Sequence, residues 1–379
     1  MLYIVPKNEL IFGNVTISMV IVTKIDSTFQ KKHYLCTDYF IRGIIIFQHN
    51  KLHYPIMKRY LFPQDYMADP SVHVFNGKIF IYPSHDYYSG IPEDDWGIHF
   101  DMKDYHVLSI TGDPMTGEVK DEGLALTREQ IPWATKQLWD CDVQEKDGKY
   151  YMYFPAKDKT GIFRCGVAIS DKPEGPFIPE PHPIEGSYSI DYAIFKDDDG
   201  TYYMYFGGIW GGQLQRYNEE NEAVNFPRFP EGDEPCISPR IVKLSDDMLS
   251  FANEPKPIRI VYEDGTPMKA GDPHHFFEAS WMHKYNGKYY YSYSTGDTHF
   301  LCYAVSDKPD GPFVYQGVIL TPVEGWTTHH SIIEYEGKWY LFHHDCKPSK
   351  GYTPLRSLKV CELKYDENGK IITIDGMAE

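Results

Sequence analysis

The chain has no pair of cysteines at CxxC spacing, no basic cluster and no apolar run long enough to cross a bilayer. Its seven cysteines, at 36, 141, 165, 236, 302, 346 and 361, are odd in number and scattered. That excludes a disulfide framework and points to reduced thiols in a cytoplasmic setting. Cationic side chains are scarce: 37 Lys and Arg stand against 54 Asp and Glu, for a net charge of −17. A nucleic-acid partner would need a basic face to meet phosphate and is therefore not expected, whereas a small neutral or cationic substrate is compatible. Residues 1–56 lack a Lys/Arg-led apolar core followed by a small-residue cleavage site, so they make a poor secretion signal.

Those first 56 residues also stand apart in charge. They carry +3, so residues 57–379 hold −20. The stretches "ISMVIVTKI" and "IRGIIIF" within them read as strands, either as an extra β-element or as an accessory leader to a functional chain that begins near Met57.

What the chain has in abundance is aromatic residues, with 31 Tyr and 21 Phe, and Gly and Pro spread along its length. Such a composition suits many short strands joined by turns. One phrase recurs five times: "FNGKIFIYPS" (75–84), "KDGKYYMYFPA" (146–156), "DDGTYYMYFGG" (198–208), "YNGKYYYSYST" (285–295) and "YEGKWYLFHHD" (335–345). Each reads as a strand, a two-residue turn that places both central residues at positive φ, and an aromatic strand. Two copies run on into near-duplicates, "VAISDKPEGPF" and "YAVSDKPDGPF", which read as a third strand, a Pro-Gly turn and an outer edge. The turn glycines at 77, 148, 200, 287 and 337 are spaced by 71, 52, 87 and 50 residues. An all-strand repeat of about 50 residues predicts an all-β, five-bladed β-propeller over 57–379. A β-sandwich also offers hairpins, but not one phrase at blade-like intervals. The uneven spacing predicts insertions at 85–135 and 209–275, forming long loops over one face.

Counting back eight or nine residues from each turn glycine gives Asp69, Asp140, Asp191, Glu278 and His329. The strand entering each hairpin would line the propeller axis, so these five would converge at one mouth of the channel. Like charges in one site push pKa values apart. Glycoside hydrolysis uses that separation, with one carboxylate as base and one carboxyl as acid.

The segments 66–86, 189–208, 276–297 and 327–345, in that order, resemble glycoside hydrolase family 43, over a span from about residue 57 to the C-terminus. The resemblance is greatest to its exo-acting β-xylosidase and α-L-arabinofuranosidase branch. It implies a propeller that removes xylose or arabinose from short plant oligosaccharides with inversion. It also implies roles: Asp69 as general base, Glu278 as general acid, Asp191 as the carboxylate that orients the acid, and His329 facing a water-coordinated divalent cation, usually calcium. His330 would point away, and His343 and His344 would pack within the blade. Trp96, Phe100, Trp139 and Trp210 are candidates to stack on a sugar ring, and Arg356 to reach a sugar hydroxyl or form a surface ion pair. The pattern is broken twice. Ile-Asp-Tyr (190–192) replaces Ile-Asp-Pro, which would relax the backbone after Asp191, and "WDCD" (139–142) replaces Trp-Ala-Pro-Asp, which adds Asp140 at the pocket floor. Two other readings compete. One is a catalytically weak sugar-binding propeller. The other is a glycoside phosphorylase, for which only Arg216 and Arg356 could supply cations.

Overall fold

The computed structural model describes residues 57–378 and the backbone of Glu9–Phe12 and Val15–Ser18. By compactness the chain divides into residues 1–54 and 55–379. In the first unit, Glu9–Phe12 and Val15–Ser18 pair as an antiparallel hairpin, Phe12 opposite Val15. Most of "ISMVIVTKI" and all of "IRGIIIF" lie outside the described residues.

The second unit is a five-bladed propeller. Blade 1 is built from Met67–Phe75, Lys78–His85, Asp104–Thr111 and Glu118–Thr127. Blade 2 uses Asp142–Lys146, Lys149–Lys157, Phe163–Ser170 and Ile178–Pro179, and blade 3 uses Ala193–Lys196, Tyr202–Phe206, Arg240–Lys243 and Lys256–Pro257. Blade 4 runs through Glu278–Tyr285, Lys288–Ser294, Leu301–Ser306 and Phe313–Leu320, with Ile260–Val261 added in parallel at its edge. Blade 5 takes His330–Tyr335, Lys338–Asp345 and Ser357–Leu363 from the C-terminal part. Its fourth strand is Lys58–Tyr60, paired antiparallel with Lys359–Cys361. Both ends of the propeller therefore sit in one sheet, which closes the ring.

Four of the five repeat turns have positive φ at both central residues: Asn76–Gly77, Asp147–Gly148, Asn286–Gly287 and Glu336–Gly337. This is the requirement of a two-residue hairpin. Blade 3 differs. Its strands are joined through Asp197–Thr201, with the Asp197 N–H bonded to the Thr201 carbonyl and only Gly200 at positive φ, so one extra residue enters the loop. The expected insertions are also shorter than the spacing implied. Segments 85–135 and 209–275 contain the outer strands of blades 1 and 3, whose sequences do not repeat the phrase. The true long loops are 86–103 and 207–239.

The aromatic strand is second in each blade and is covered on both sides by neighbouring blades, which is why it reads as a continuous apolar run and not as an alternation. Tyr202–Phe206 is buried throughout. A buried tyrosine still needs a partner for its hydroxyl, and here the partners tie blade to blade. Tyr82 donates to the Pro173 carbonyl, Tyr153 to Met248 and Tyr205 to Pro309, at 2.8, 2.9 and 2.8 Å. All three lie five residues after the turn glycine and reach the following blade. Blade 4 has Ser292 at that position, bonded to His330 Nε2 of blade 5 at 2.6 Å. Tyr340 of blade 5 returns to Asp113 of blade 1 at 3.1 Å.

Candidate active site

The N-terminal ends of the five inner strands meet around one cavity of about 290 Å³, whose lining includes Asp69, Asp140, Asp191, Glu278 and His329. Backbone irregularities aim the side chains. Pairing shifts register between Ala68 and Ser71 and between Glu278 and Trp281. Within those bulges Asp69 has φ +46° and Ala279 has φ +62°, while Ser189 and Asp191 stand at +68° and +62° on blade 3. Non-glycine residues adopt such angles at a cost, and their clustering beside the convergent acids marks the site as one whose geometry the rest of the fold enforces.

Tyr192 does not relax the backbone after Asp191. Its buried hydroxyl donates to the Ser189 carbonyl at 2.9 Å, so a side-chain bond constrains the turn that proline was expected to hold. The "WDCD" acids have separate jobs. Asp142 ties three blades, accepting from Ser71 Oγ, from His73 Nε2 at 2.5 Å and from the Ile194 N–H at 2.5 Å. Asp140 faces the cavity, and its Oδ1 is buried without a hydrogen-bond partner.

Asp69 is held by Arg356, whose Nη1 donates to Oδ1 at 2.7 Å. Arg356 is 3 % exposed and is clamped in turn by Asp86, which takes Nε at 2.8 Å, Nη2 at 2.7 Å and the Arg356 N–H at 2.9 Å. The guanidinium lies 4.7 Å from the centre of the Phe100 ring. Arg356 is therefore no surface ion pair. It lines the cavity as a buried cation committed to two carboxylates. Burial alone would raise the Asp69 pKa, but the charge of Arg356 and the nearby His329 ring outweigh it and hold the carboxyl far below the usual range.

Glu278 has the opposite environment. Part of its surface opens to the cavity, yet it is ringed by protein. Burial, then the charges of Asp191 and Asp69, push its pKa well above that of an ordinary glutamate. Asp191 Oδ2 accepts the N–H of Ala279 at 2.6 Å, fixing the backbone beside Glu278. Its own carboxyl is raised by burial, an effect that His329 opposes. Asp140 is pushed up strongly by burial and by the neighbouring Asp191.

His343 and His344 were expected to pack within the blade. Both are buried, but His344 has a further role. Its Nδ1 accepts the Asp69 N–H at 3.1 Å while Nε2 faces the Thr327 carbonyl at 3.0 Å. This pattern defines a neutral ring protonated on Nε2, and burial lowers its pKa to about 4. The 3.4 Å approach of Nδ1 to Asp69 Oδ1 is accordingly a contact and not an ion pair. His330 does point away, into its bond with Ser292.

Phe100, Trp139 and Trp210 line the cavity, whereas Trp96 does not; its side chain is 46 % exposed. Trp139 is fixed by Nε1 donating to the Phe100 carbonyl at 2.7 Å. Trp210 stands 5.7 Å from Trp326 and 5.4 Å from Phe277, ring centre to ring centre. The cavity thus has two aromatic groups in its lining, and their C–H-rich surfaces suit the faces of a sugar ring. Asp86, Phe277 and Trp326 were not singled out in the sequence, and His344 was assigned only to packing within its blade. The same ruler run forward would have found two of these four, since Asp86 directly follows the second strand of blade 1 and His344 lies next to the end of that of blade 5, nine and seven residues after the turn glycine. Arg216 does not line the cavity, so with Arg356 already committed the two cations needed for phosphate are not on offer.

One ligand atom each from Asp140, Asp191 and His329 lies within 4.8 Å of the others. The unpartnered Asp140 oxygen and the two buried carboxylates fit a divalent cation better than a lone imidazole would, since hard cations favour oxygen. His329 Nδ1 is 3.6 Å from Asp69 Oδ1.

The family model described as glycosyl hydrolases family 43 matches residues 118–371. A xylosidase/arabinosidase of Bacteroides ovatus is 67 % identical over 85 % of this chain and 99 % of its own. A β-xylosidase of Xylanibacter ruminicola is 63 % identical over 83 % and 99 %. Among solved structures, that of RS223-β-xylosidase superposes with a TM-score of 0.84 at 64 % identity, covering 85 % of this chain and 99 % of the other. A β-xylosidase/α-arabinofuranosidase from a compost microbial metagenome, in complex with xylotriose and in calcium-free form, gives 0.82 at 59 % identity over 85 % and 98 %. With the propeller, the convergent acids and these relatives in agreement, the chain belongs to glycosyl hydrolases family 43 and is a glycoside hydrolase.

Proposed function

We propose that the chain is an exo-acting, inverting glycosidase that releases xylose or arabinose from the non-reducing ends of short plant-derived oligosaccharides. The observation that carries the chemistry is the opposite tuning of two carboxyls on one cavity: Asp69 kept ionised by Arg356, and Glu278 kept protonated by burial and by its anionic neighbours. Asp69 then takes a proton from the attacking water, and Glu278 gives one to the departing oxygen. Asp191 positions the acid through the Ala279 N–H. Inversion calls for roughly 6.5–9.5 Å between base and acid, room for one water. The pentose is the inferred substrate because relatives sharing 59 % to 67 % identity are named for xylose and arabinose, and one was solved with xylotriose.

The Asp140, Asp191 and His329 cluster would hold a divalent cation, for which calcium is the first choice. Bound there, it would neutralise two buried carboxylates and stiffen the pocket floor. The six described cysteines are all free thiols, which supports a cytoplasmic location, and residues 1–56 are taken as an extension to the catalytic propeller of 57–379.

The test is a panel of p-nitrophenyl pentosides with parent protein and Asp69→Asn, coupled to NMR of the first xylose anomer released from p-nitrophenyl β-xyloside, whose leaving group is not a sugar. We expect loss of turnover with retained sugar binding in the variant, and α-xylose as the first product of the parent. First release of β-xylose would remove the inverting assignment.

A further inference from the structure

We propose that blade 1 carries a second metal site, outside the cavity lining and suited to zinc or a similar borderline divalent ion, formed by His85, Asp104 and His106.

One ligand atom from each of these three lies within 4.8 Å of the others. None of them lines the cavity. The placement follows from strand geometry. His85 ends the second strand of blade 1, and Asp104 and His106 begin the third, two residues apart and hence on one face. Ladder pairing between these strands is confined to Ile79–Ile110, Phe80–Ser109 and Ile81–Leu108. The three side chains gather beyond its end, where the strands are not pinned together.

The chemistry of the donors fits. His85 Nδ1 approaches Asp104 Oδ1 at 2.5 Å, and the two imidazoles stand 5.0 Å apart, edge to face. Each ring is also oriented by a further carboxylate. Asp65 Oδ2 is 3.3 Å from His85 Nε2, and Asp121 Oδ2 is 3.1 Å from His106 Nδ1. Those outer acids are anchored as well, since Asp65 accepts the Tyr66 N–H and Asp121 the Gly123 N–H, each at 2.8 Å. Histidine ligands usually have such a carboxylate on the far nitrogen, which fixes tautomer and direction. With Nδ1 turned to Asp121, His106 has Nε2 left to bind metal.

Charge supplies an independent argument. Three carboxylates gather around two imidazoles, and among the described residues no lysine or arginine forms an ion pair with Asp65, Asp104 or Asp121. A divalent cation would balance them. Two imidazoles, one carboxylate and a water make a tetrahedral set of the kind zinc takes, with ligand atoms about 2.0–2.2 Å from the metal and so about 3.3 Å from one another. Binding would open the His85–Asp104 contact by somewhat under an ångström.

The test is equilibrium dialysis of the full chain against micromolar zinc in saturating calcium, with bound zinc counted by atomic spectroscopy. Zinc-edge anomalous diffraction of the zinc-soaked parent then locates it. We expect one equivalent fewer in His106→Gln than in the parent. Asp121→Asn, which removes only the outer partner, should weaken this zinc 10- to 100-fold. The anomalous peak should fall within bonding distance of His85, Asp104 and His106. The channel cluster is untouched by these changes and contributes equally to every sample. Equal zinc content in parent and His106→Gln, or anomalous density confined to the channel, would overturn the proposal. The diffraction arm needs no variant and decides the matter even where a substitution fails to fold.

Discussion

Arg356 is where the electrostatics of the cavity can be tested most sharply. It neutralises both Asp69 and Asp86, and it is buried, so solvent cannot substitute for it. Replacing it by methionine keeps the apolar stem but leaves two buried carboxylates without a counter-charge, a change that costs about 3–5 kcal/mol of stability. The double variant Arg356→Met/Asp86→Asn removes the second orphan and isolates the effect on Asp69. Two unit charges about 4 Å apart at an effective dielectric near 20 interact by about 4 kcal/mol. At about 1.4 kcal/mol per pH unit, losing that attraction raises the Asp69 pKa by about three units. Burial raises this pKa in parent and variant alike, so the shift measures the loss of Arg356. A base that is ionised at every working pH in the parent would then titrate about three units higher, toward the ordinary carboxylate range. The assay is the pH dependence of kcat/KM on p-nitrophenyl β-xyloside, read as initial rates within seconds of a pH jump so that unfolding does not intrude. In the double variant the rate should fall tenfold per pH unit below the new limb and level off above it. A profile with its acid limb where the parent has it would refute the idea that Arg356 keeps Asp69 ionised.

Other consequences are simpler to read. Glu278→Gln should cut the rate on xylobiose by 10²-fold or more while sparing aryl xylosides with good leaving groups, which need little protonation; equal losses on both would remove Glu278 as the acid. In the parent the alkaline limb should lie well above the ordinary glutamate range, because the Glu278 pKa is raised, and Glu278→Gln should abolish that limb on aryl substrates. Chelator should slow the parent and calcium should restore it, whereas Asp140→Ala should be indifferent to both; a parent rate untouched by chelation would argue against a metal at the channel cluster. Acid stability should be limited by His283, His343 and His344, whose folded pKa values lie at about 3, 3 and 4. Because these are depressed below the unfolded value near 6.5, the stabilisation is complete above that pH. It is lost as pH falls toward 4, by up to about 1.4 kcal/mol per unit for each histidine. Differential scanning calorimetry from pH 7 to 5 should show a steep fall in Tm, which His343→Gln would flatten.

The repeat made the fold legible because one physical problem recurs five times: a two-sided buried strand must be entered by a tight turn and stapled to its neighbour. Turn glycines and tyrosines solve it with the same letters each time, and the positions upstream of the glycine inherit a common address at the channel. Asp69, Asp140, Asp191, Glu278 and His329 could therefore be located by counting. The outer strands of blades 1 and 3 were not legible in this way. They face solvent or a loop on one side and tolerate varied sequence, so their residues were mistaken for insertion.

What the sequence hid most completely was the partnership of distant residues. Asp86 and Arg356 are 270 positions apart, and nothing local in "PSHD" or "TPLRS" announces a buried clamp. An arginine just ahead of a strand in an acidic protein reads equally as a sugar contact or a surface ion pair, because burial of a guanidinium makes sense only once two carboxylates are known to wait for it. The same holds for His344. Adjacent histidines at the end of an aromatic strand alternate across the sheet, and only the ring's closure reveals that one of them faces the backbone of Asp69. The acids of a propeller site are written where the repeat can index them. Arg356, which keeps Asp69 ionised, comes from a position that the repeat leaves free, and its partnership is found only when the ring is closed.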